Sequence, residues 1–402
     1  MNFRDEQRRW ILPLVLAALS AVGPFSIDAY LPAFQEMGQT LRANPVEIQQ
    51  TLSIYMLMFG LMTLWHGALS DSFGRKRVIL LSLMVYALAS LGCALSVNIE
   101  MLWVMRAAQG VSAGAGMVVS RAIVRDLYDG AQAQRLMANI AVMFAIAPAT
   151  APIVGGWILY FFGWRGIFVF LTLATIGLYA LCWRFLPESL PKEKRQAFAV
   201  GLLLKRYRSV LFCREFLALS LGLGVVFCGS FIYVLAAPVF IREHLRLGET
   251  DFYWLFVPGM FGMIGGSWFS GRVAGAWNLR RTLCLAFGVM AAAVCLNLAA
   301  SGIFPQIRFL AVLPMAIYSF GVAFSMPALT LLALDFFPEN RGLAASCQSF
   351  VQTLFAALCA AVVVPWLWHS RVSLALGMLG MWAAGFLLVY LAVSGSRGSR
   401  KR

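Results

Sequence analysis

Charge is scarce in this 402-residue chain, where Asp, Glu, Lys and Arg make up only 12% of the residues. An ordinary globular domain has about 25%. Hydrophobic residues reach 61%, against the usual roughly 45–50%. A soluble domain of this length could not cover that much apolar surface with polar side chains, so the composition excludes one, and it also excludes a disordered or disulfide-rich chain. The solvent that suits this composition is lipid.

Residue types that carry enzyme chemistry are also few. The three histidines are scattered, and the eight cysteines show no spacing typical of a metal site or redox pair, so we expect the cysteines to be small buried apolar side chains. The sequence has no G-x-x-x-x-G-K-[ST] phosphate-binding loop, which argues against ATP use. We therefore expect no enzyme activity, no metal and no cofactor.

Apolar runs separated by charged or turn-rich segments predict twelve membrane-spanning helices. Each crossing needs about 20 apolar residues, so twelve occupy roughly 240 residues and leave only short connections. We expect an all-α integral membrane protein with two six-helix bundles. The predicted spans are residues 10–32, 47–70, 77–97, 100–124, 134–161, 165–187, 215–238, 249–271, 280–301, 307–335, 341–367 and 372–394.

Positive charge is distributed unevenly between the two sides of these spans. With the N-terminus in the cytoplasm, 25 of the 32 Lys and Arg residues fall on the cytoplasmic side and six on the opposite side. Lys and Arg accumulate in cytoplasmic loops, so both termini are predicted to be cytoplasmic. The net charge of +15 is thus a topology signal and not a sign of nucleic-acid binding.

The longest connection divides the spans six and six. We predict an N-terminal bundle over 1–187, a basic cytoplasmic linker over 188–214 and a C-terminal bundle over 215–402. The halves show faint similarity, since Asp28–Phe34 aligns with Val234–Phe240 at an offset of 206 residues. Two related halves joined by a linker are typical of a transporter whose substrate site lies at mid-membrane between them.

One loop and two spans carry motifs. The loop between spans 2 and 3 reads Gly67-Ala-Leu-Ser-Asp71-Ser-Phe-Gly74-Arg75-Lys76-Arg77. Span 4 contains Arg106-Ala-Ala-Gln109-Gly110, and span 5 contains Ala147-Pro148-Ala-Thr-Ala151-Pro152-Ile-Val-Gly155-Gly156. On composition alone, the loop motif is also compatible with a simple basic turn. The small residues of the span 5 motif are also compatible with ordinary helix packing.

Together these motifs resemble the signatures of the major facilitator superfamily. Ser26-Ile-Asp28-Ala-Tyr30-Leu-Pro32 in span 1 and Arg125-Asp126-Leu-Tyr128 after span 4 are similar to the Bcr/CflA group, which exports bicyclomycin and chloramphenicol in exchange for protons. The second-half copy of the loop motif, Gly266–Arg272, has no Asp. The resemblance implies that conformational change depends on Gly67, Asp71, Gly74, Arg75, Lys76, Arg125, Pro152, Gly155 and Gly156.

Two charged residues lie well inside predicted spans, away from the span ends. Asp28 is the one acidic residue well within a span, and Arg106 is the one buried cation, at a similar depth in span 4. A charge at that depth must be paired, neutralised or facing water. We expect Asp28 to carry the coupled proton and Arg106 to tune it, although a purely structural ion pair would also account for both residues.

Candidates for the substrate wall follow from helix and depth. They are Asp28, Tyr30, Asn139, Met143, Phe231, Tyr233, Tyr318 and Gln348. Aromatic and Met side chains in spans also pack commonly against lipid or another helix, so packing is the alternative for most of them.

The sequence therefore favours a proton-coupled multidrug antiporter of a bacterial inner membrane, which exports small, mostly apolar compounds by alternating access. We expect a monomer in the lipid bilayer that uses the proton gradient and binds no nucleic acid. Export of an endogenous metabolite or metallophore, or a sugar or amino-acid permease of the same fold, is the alternative. A membrane enzyme such as an acyltransferase or a receptor has less support, because there is neither a His/Asp or Cys cluster nor a loop domain.

The distribution of charge predicts the location of the C-terminus. A green fluorescent protein fused after Arg402 should fluoresce, and alkaline phosphatase fused at the same point should be inactive, because that enzyme matures only outside the cytoplasm. The reverse pattern would contradict the charge-based topology.

Overall fold

The protein is almost entirely α-helical in the computed structural model. The structure describes the backbone of residues 3–304 and 306–399, and side chains over residues 11–304 and 306–394 except 131, 138, 139, 141, 144 and 145. No strand occurs within those backbone ranges. The α-helices are α1 (Phe3–Asp28), α2 (Phe34–Leu41), α3 (Pro45–Phe73), α4 (Arg75–Ala94), α5 (Ile99–Leu127), α6 (Gly130–Phe185), α7 (Val200–Leu211), α8 (Arg214–Leu235), α9 (Ala237–Val239), α10 (Tyr253–Val273), α11 (Leu279–Ile303), α12 (Arg308–Leu334), α13 (Arg341–Leu358), α14 (Val364–Leu367) and α15 (Arg371–Ser399).

The twelve predicted spans are present as helices. Nine stretches of the described chain are long and apolar enough to cross a membrane. Helix α6 has 56 residues and contains two spans, because Gly163 interrupts it with a φ of 67° in the left-handed region. Helices α5 and α10, of 29 and 21 residues, complete the set although charged residues and glycines lower their hydropathy. The prediction of an all-α membrane fold is confirmed.

Spans 1 and 7 end earlier than predicted. Helix α1 stops at Asp28, and a turn at Ala29 and Tyr30 leads into a 3₁₀ segment at Leu31–Ala33. Helix α8 stops at Leu235, and a π-helical segment follows at Phe240–His244. Each break lies just before a proline, Pro32 or Pro238, which has no N–H to continue the helical hydrogen bonds. Asp28 thus lies at a helix end and not within a continuous helix.

The chain forms two compact units, Met1–Ala199 and Val200–Arg402. The division falls within the predicted linker. The first part of the linker, including a 3₁₀ turn at Lys192–Lys194, belongs to the first unit, whereas α7 belongs to the second unit.

Close packing in the first unit depends on glycines that contact the backbone of a neighbouring helix. A Cβ at Gly110 would overlap the carbonyl oxygen of Tyr55, and a Cβ at Gly155 would overlap that of Ala29. These contacts bring α5 against α3, and α6 against the end of α1. Small residues at such positions let helix backbones approach closely in a membrane. Gly155 therefore holds α6 against the turn that follows Asp28.

The second unit repeats this packing. A Cβ at Gly262 would overlap the carbonyl oxygen of Ala316, and a Cβ at Gly266 would overlap that of Phe320, so α10 lies directly against α12. Helix α8 packs against both α12 and α15. Gly266 belongs to the second-half copy of the loop motif, which has no Asp. A glycine is needed there because a side chain would overlap α12.

Two glycines of α6 allow a matched test of this packing. Gly155→Ala should destabilise the protein by about 1–3 kcal/mol, because the methyl group has no space beside Ala29. Gly177→Ala has nothing within 4 Å of the new Cβ and should be neutral or stabilising by up to about 1 kcal/mol. Thermal unfolding of the two variants in detergent would measure the difference, and equal stability would show that the contact is unimportant.

Candidate functional site

Arg106 is fully buried in the first unit and lies between two tyrosine rings. Its guanidinium carbon is 4.3 Å from the ring centre of Tyr30 and 4.2 Å from that of Tyr55. A desolvated cation gains about 2 kcal/mol from such an aromatic face. The two rings thereby supply much of the attraction that a carboxylate would otherwise provide.

The polar partners of Arg106 are a glutamine and a backbone carbonyl. Its Nη1 donates to Gln109 Oε1 at 2.7 Å, and its Nε donates weakly to the carbonyl oxygen of Thr51 at 3.5 Å. Gln109 Nε2 in turn donates to Ser90 Oγ at 2.7 Å. Arg106 Nη2 has no hydrogen-bond partner among the described residues. The N–H groups of Nη2 thus remain available within this buried network.

Asp28 is 2% exposed, and its Oδ1 has no hydrogen-bond partner in the described part of the chain. Within that part, no ion pair or hydrogen bond joins it to Arg106. The pairing that their similar depths suggested is therefore absent. Arg106 instead contacts Tyr30, Tyr55 and Gln109.

Tyr30 connects the two charged positions. It is fully buried two residues after Asp28, its ring stacks on Arg106, and its hydroxyl group shares a 3.0 Å hydrogen bond with Thr51 Oγ1. Helix α1 ends at Asp28, so Tyr30 makes these contacts from the turn that follows the helix. Tyr30 is thus part of the Arg106 site.

Sequence reasoning missed several members of this site. The hydroxyl of Tyr55 donates to the Gly23 carbonyl at 3.0 Å, and Tyr86 hydrogen-bonds Ser26 Oγ. Of these site members, only Gln109 could be found from the sequence. It lies three residues after Arg106, and this spacing places both side chains on the same helix face. The tyrosines come from other helices, and no sequence spacing connects them to Arg106.

The loop motif forms a second cluster, centred on Arg75. The Arg75 side chain ion-pairs with Asp71, contacts Asp126 Oδ2 at 3.1 Å and donates to Ser70 Oγ at 2.6 Å. Its backbone N–H donates to Glu188 Oε1 at 2.9 Å. One arginine therefore links the ends of α3 and α5 to the segment after α6, all within the first unit.

Gly74 is required at the centre of this cluster. Its φ of 99° is one that residues with a side chain rarely adopt. A Cβ there would lie 2.5 Å from Glu188 Oε2 and 2.7 Å from Arg195 Nη2, two groups that form an ion pair at 3.6 Å. Lys76 donates separately to the carbonyl of Trp183 at 2.7 Å.

The other predicted motif residues occupy simpler environments. Arg125 has an exposed side chain, and its neighbour Asp126 makes the contact with Arg75. Gly67 has only ordinary van der Waals space beside it, whereas Pro152 and Gly156 are buried in α6.

The remaining substrate candidates are found in different environments. Met143 in the first unit is 38% exposed, and the side chain of Asn139 lies outside the described residues. In the second unit, Tyr233 accepts a 2.7 Å hydrogen bond from Asn297 Nδ2, and Phe231 packs on another phenylalanine ring.

Tyr318 and Gln348, also in the second unit, are buried with polar atoms unsatisfied. The Tyr318 hydroxyl and Gln348 Nε2 have no hydrogen-bond partner among the described residues. Both groups can donate a hydrogen bond to a ligand.

Comparison with known sequences identifies the family. The profile of the Major Facilitator Superfamily matches residues 16–360. The chain belongs to this superfamily. Superfamily members are transporters and not enzymes, as the sequence predicted.

Relatives of this superfamily protein include named drug-resistance proteins. It is 32% identical to the uncharacterized MFS-type transporter YdgK of Bacillus subtilis over 89% of each chain. It is 30% identical to a bicyclomycin resistance protein homolog of Haemophilus influenzae over 67% of each chain. It is 31% identical to a chloramphenicol resistance protein of Pseudomonas aeruginosa over 70% of this chain and 67% of that protein. These relatives support the predicted Bcr/CflA group.

Solved structures of the superfamily show the same fold. A bacterial homolog of the human lysosomal transporter Spinster superposes with a TM-score of 0.73 over 97% of both chains, at 15% identity. At this low identity the likeness concerns the fold alone.

The Arg75 cluster predicts different effects for Arg75 and Arg77, two arginines of the superfamily loop motif. Arg75→Ala should lower the stability of the first unit by about 2–3 kcal/mol, because it leaves Asp71 and Asp126 without their shared cation, although the backbone N–H that binds Glu188 remains. Arg77→Ala removes the same charge from an exposed side chain and should change stability little. Thermal unfolding in detergent provides the measurement. Asp71→Asn should lower the stability less than Arg75→Ala does. Equal effects of the two arginine variants would contradict the assignment.

Proposed function

We propose that this protein is a proton-coupled efflux antiporter that exports small, mostly apolar drugs across a bacterial inner membrane by alternating access. Support comes from its superfamily and from relatives named for resistance to bicyclomycin and chloramphenicol. In this proposal both termini are cytoplasmic, the chain acts as a monomer, and the proton gradient is the energy source.

The observation that carries the proposal is the buried Asp28 side chain, whose Oδ1 has no hydrogen-bond partner among the described residues. A buried carboxylate without a compensating cation is stable only if it takes a proton or meets a partner. Asp28 Oδ1 lacks a partner in the described chain, and Arg106 is occupied by aromatic rings and Gln109. Asp28 is therefore suited to exchange a proton for a substrate.

Competition at Asp28 would couple the two movements. A substrate that hydrogen-bonds the ionised carboxylate binds less well when Asp28 carries a proton, and by linkage substrate binding then releases that proton. A neutral drug with a hydroxyl or amide donor can participate, because hydrogen bonds to a carboxylate are strong. Protonation on the acidic outer side would release the drug, and deprotonation inside would restore binding.

For Arg106 we propose a positioning role. No hydrogen bond or ion pair joins it to Asp28 in the described part of the chain, and its guanidinium lies on the ring of Tyr30, two residues after Asp28. Its unsatisfied Nη2 gives the same region a donor for a carbonyl group of the substrate.

Two matched aspartate variants test this function in cells. In a pump-deficient bacterial host, the wild type should raise resistance to some members of a drug panel, and a protonophore should abolish that resistance. Asp28→Asn should lose it, whereas Asp129→Asn makes the same substitution at an exposed position and should keep it. Resistance that survives the protonophore would contradict proton coupling, and a panel without any protected drug would favour metabolite export.

Proton release from the purified protein tests the role of Asp28 directly. A drug identified by the panel should release protons from wild type and Asp129→Asn in weakly buffered detergent solution, and not from Asp28→Asn. Equal release from Asp28→Asn would mean that another group carries the proton.

A further inference from the structure

Helix α7 in the linker has one face packed on the second unit and another face uncovered. Tyr207 and Val210 are buried where α7 contacts α8 and α13. On other sides of the same segment, Leu202 is 51% exposed, Leu204 52% and Phe212 76%. A segment that keeps three large apolar side chains uncovered beside its packed face is unlike a simple solvated linker.

Basic side chains lie among these apolar ones. Lys205, Arg206 and Arg208 are exposed, and no Asp or Glu occurs from Val200 to Arg214. Among the described residues, no carboxylate forms an ion pair with the three. The Arg208 guanidinium carbon lies 5.5 Å from the Phe212 ring centre, so a positive charge and an exposed aromatic ring are adjacent.

The position of α7 brings this surface to the membrane. Membrane-spanning α8 begins at Arg214, three residues after α7 ends at Leu211. Three residues reach at most about 10 Å, so the end of α7 lies near the headgroup region. A helix that combines exposed apolar and basic side chains next to a span is suited to the boundary between acyl chains and anionic headgroups.

We propose that the exposed surface of α7 and Phe212 binds anionic phospholipid, with Leu204 and Phe212 in the acyl region and Lys205, Arg206 and Arg208 on the headgroup phosphates. The charge identifies the occupant, since a zwitterionic headgroup offers no net negative charge to three uncompensated cations. This surface is separate from Asp28 and does not depend on the proposed transport activity.

Lipid titration of the full-length protein tests the proposal. In detergent, dioleoylphosphatidylglycerol should raise the thermal unfolding temperature of the wild type more than dioleoylphosphatidylcholine does. For K205Q/R206Q/R208Q, the phosphatidylglycerol concentration at half-effect should rise roughly a hundredfold, at about fivefold for each basic residue near an anionic surface. L204S/F212S should also weaken the effect of phosphatidylglycerol.

A matched control separates this surface from total charge. R272Q/R280Q/R281Q removes three exposed arginines from the end of α10 and the start of α11 in the same unit and should keep the wild-type response. In wild type, 0.5 M KCl should reduce the difference between the two lipids, because salt screens exposed charges. Equal stabilisation by both lipids, no effect of KCl, or equal loss in the control variant would overturn the proposal. A change of oligomeric state in L204S/F212S would also overturn it, because a second copy would then be the occupant.

Discussion

The first unit depends on keeping one cation inside a helix bundle that lies in hydrocarbon. Arg106 is fully buried, and among the described residues its partners are the Tyr30 and Tyr55 rings and Gln109, with no carboxylate. These partners come from the turn after α1, from α3 and from α5, and Ser90 of α4 supports Gln109. Because an uncompensated charge in hydrocarbon costs several kcal/mol, all of these elements must keep their positions for Arg106 to remain buried.

This arrangement leaves Asp28 chemically available. A direct pair with Arg106 would hold the carboxylate permanently ionised, and proton exchange would require breaking it. Arg106 instead contacts the ring of Tyr30. Gly155 brings α6 against the backbone of Ala29, the residue between Asp28 and Tyr30. The helix break, the close approach and the buried cation therefore act together on one short stretch of chain. That stretch contains the acidic group for which we propose proton and drug competition.

The two parts of the linker contact different units. Its first part is bound to the loop motif, since the N–H of Gln196 donates to the Asp71 carbonyl at 3.2 Å and the Phe198 ring packs near Phe73. Its second part, α7, is attached to the second unit by Tyr207 and Val210. The linker is thus an ordered segment that contacts each unit through different residues. Glu188 and Arg195, both in the first part of the linker, form an ion pair beside Gly74 of the loop motif.

The sequence by itself determined the solvent, the twelve helices and the family, because these depend on composition, on the length of apolar runs and on motifs that are local in the chain. It also identified Asp28 and Arg106, since a charge inside an apolar run is visible without a structure. Tertiary structure decided what those charges contact. Tyr30, Tyr55 and Ser90 reach the Arg106 network from elements that are separated from it by many residues in the sequence. Asp126 and Glu188 are likewise distant in sequence from Arg75. Depth along a span is a single coordinate, and it cannot specify the rotation and tilt of helices that make Arg106 face two tyrosine rings instead of Asp28.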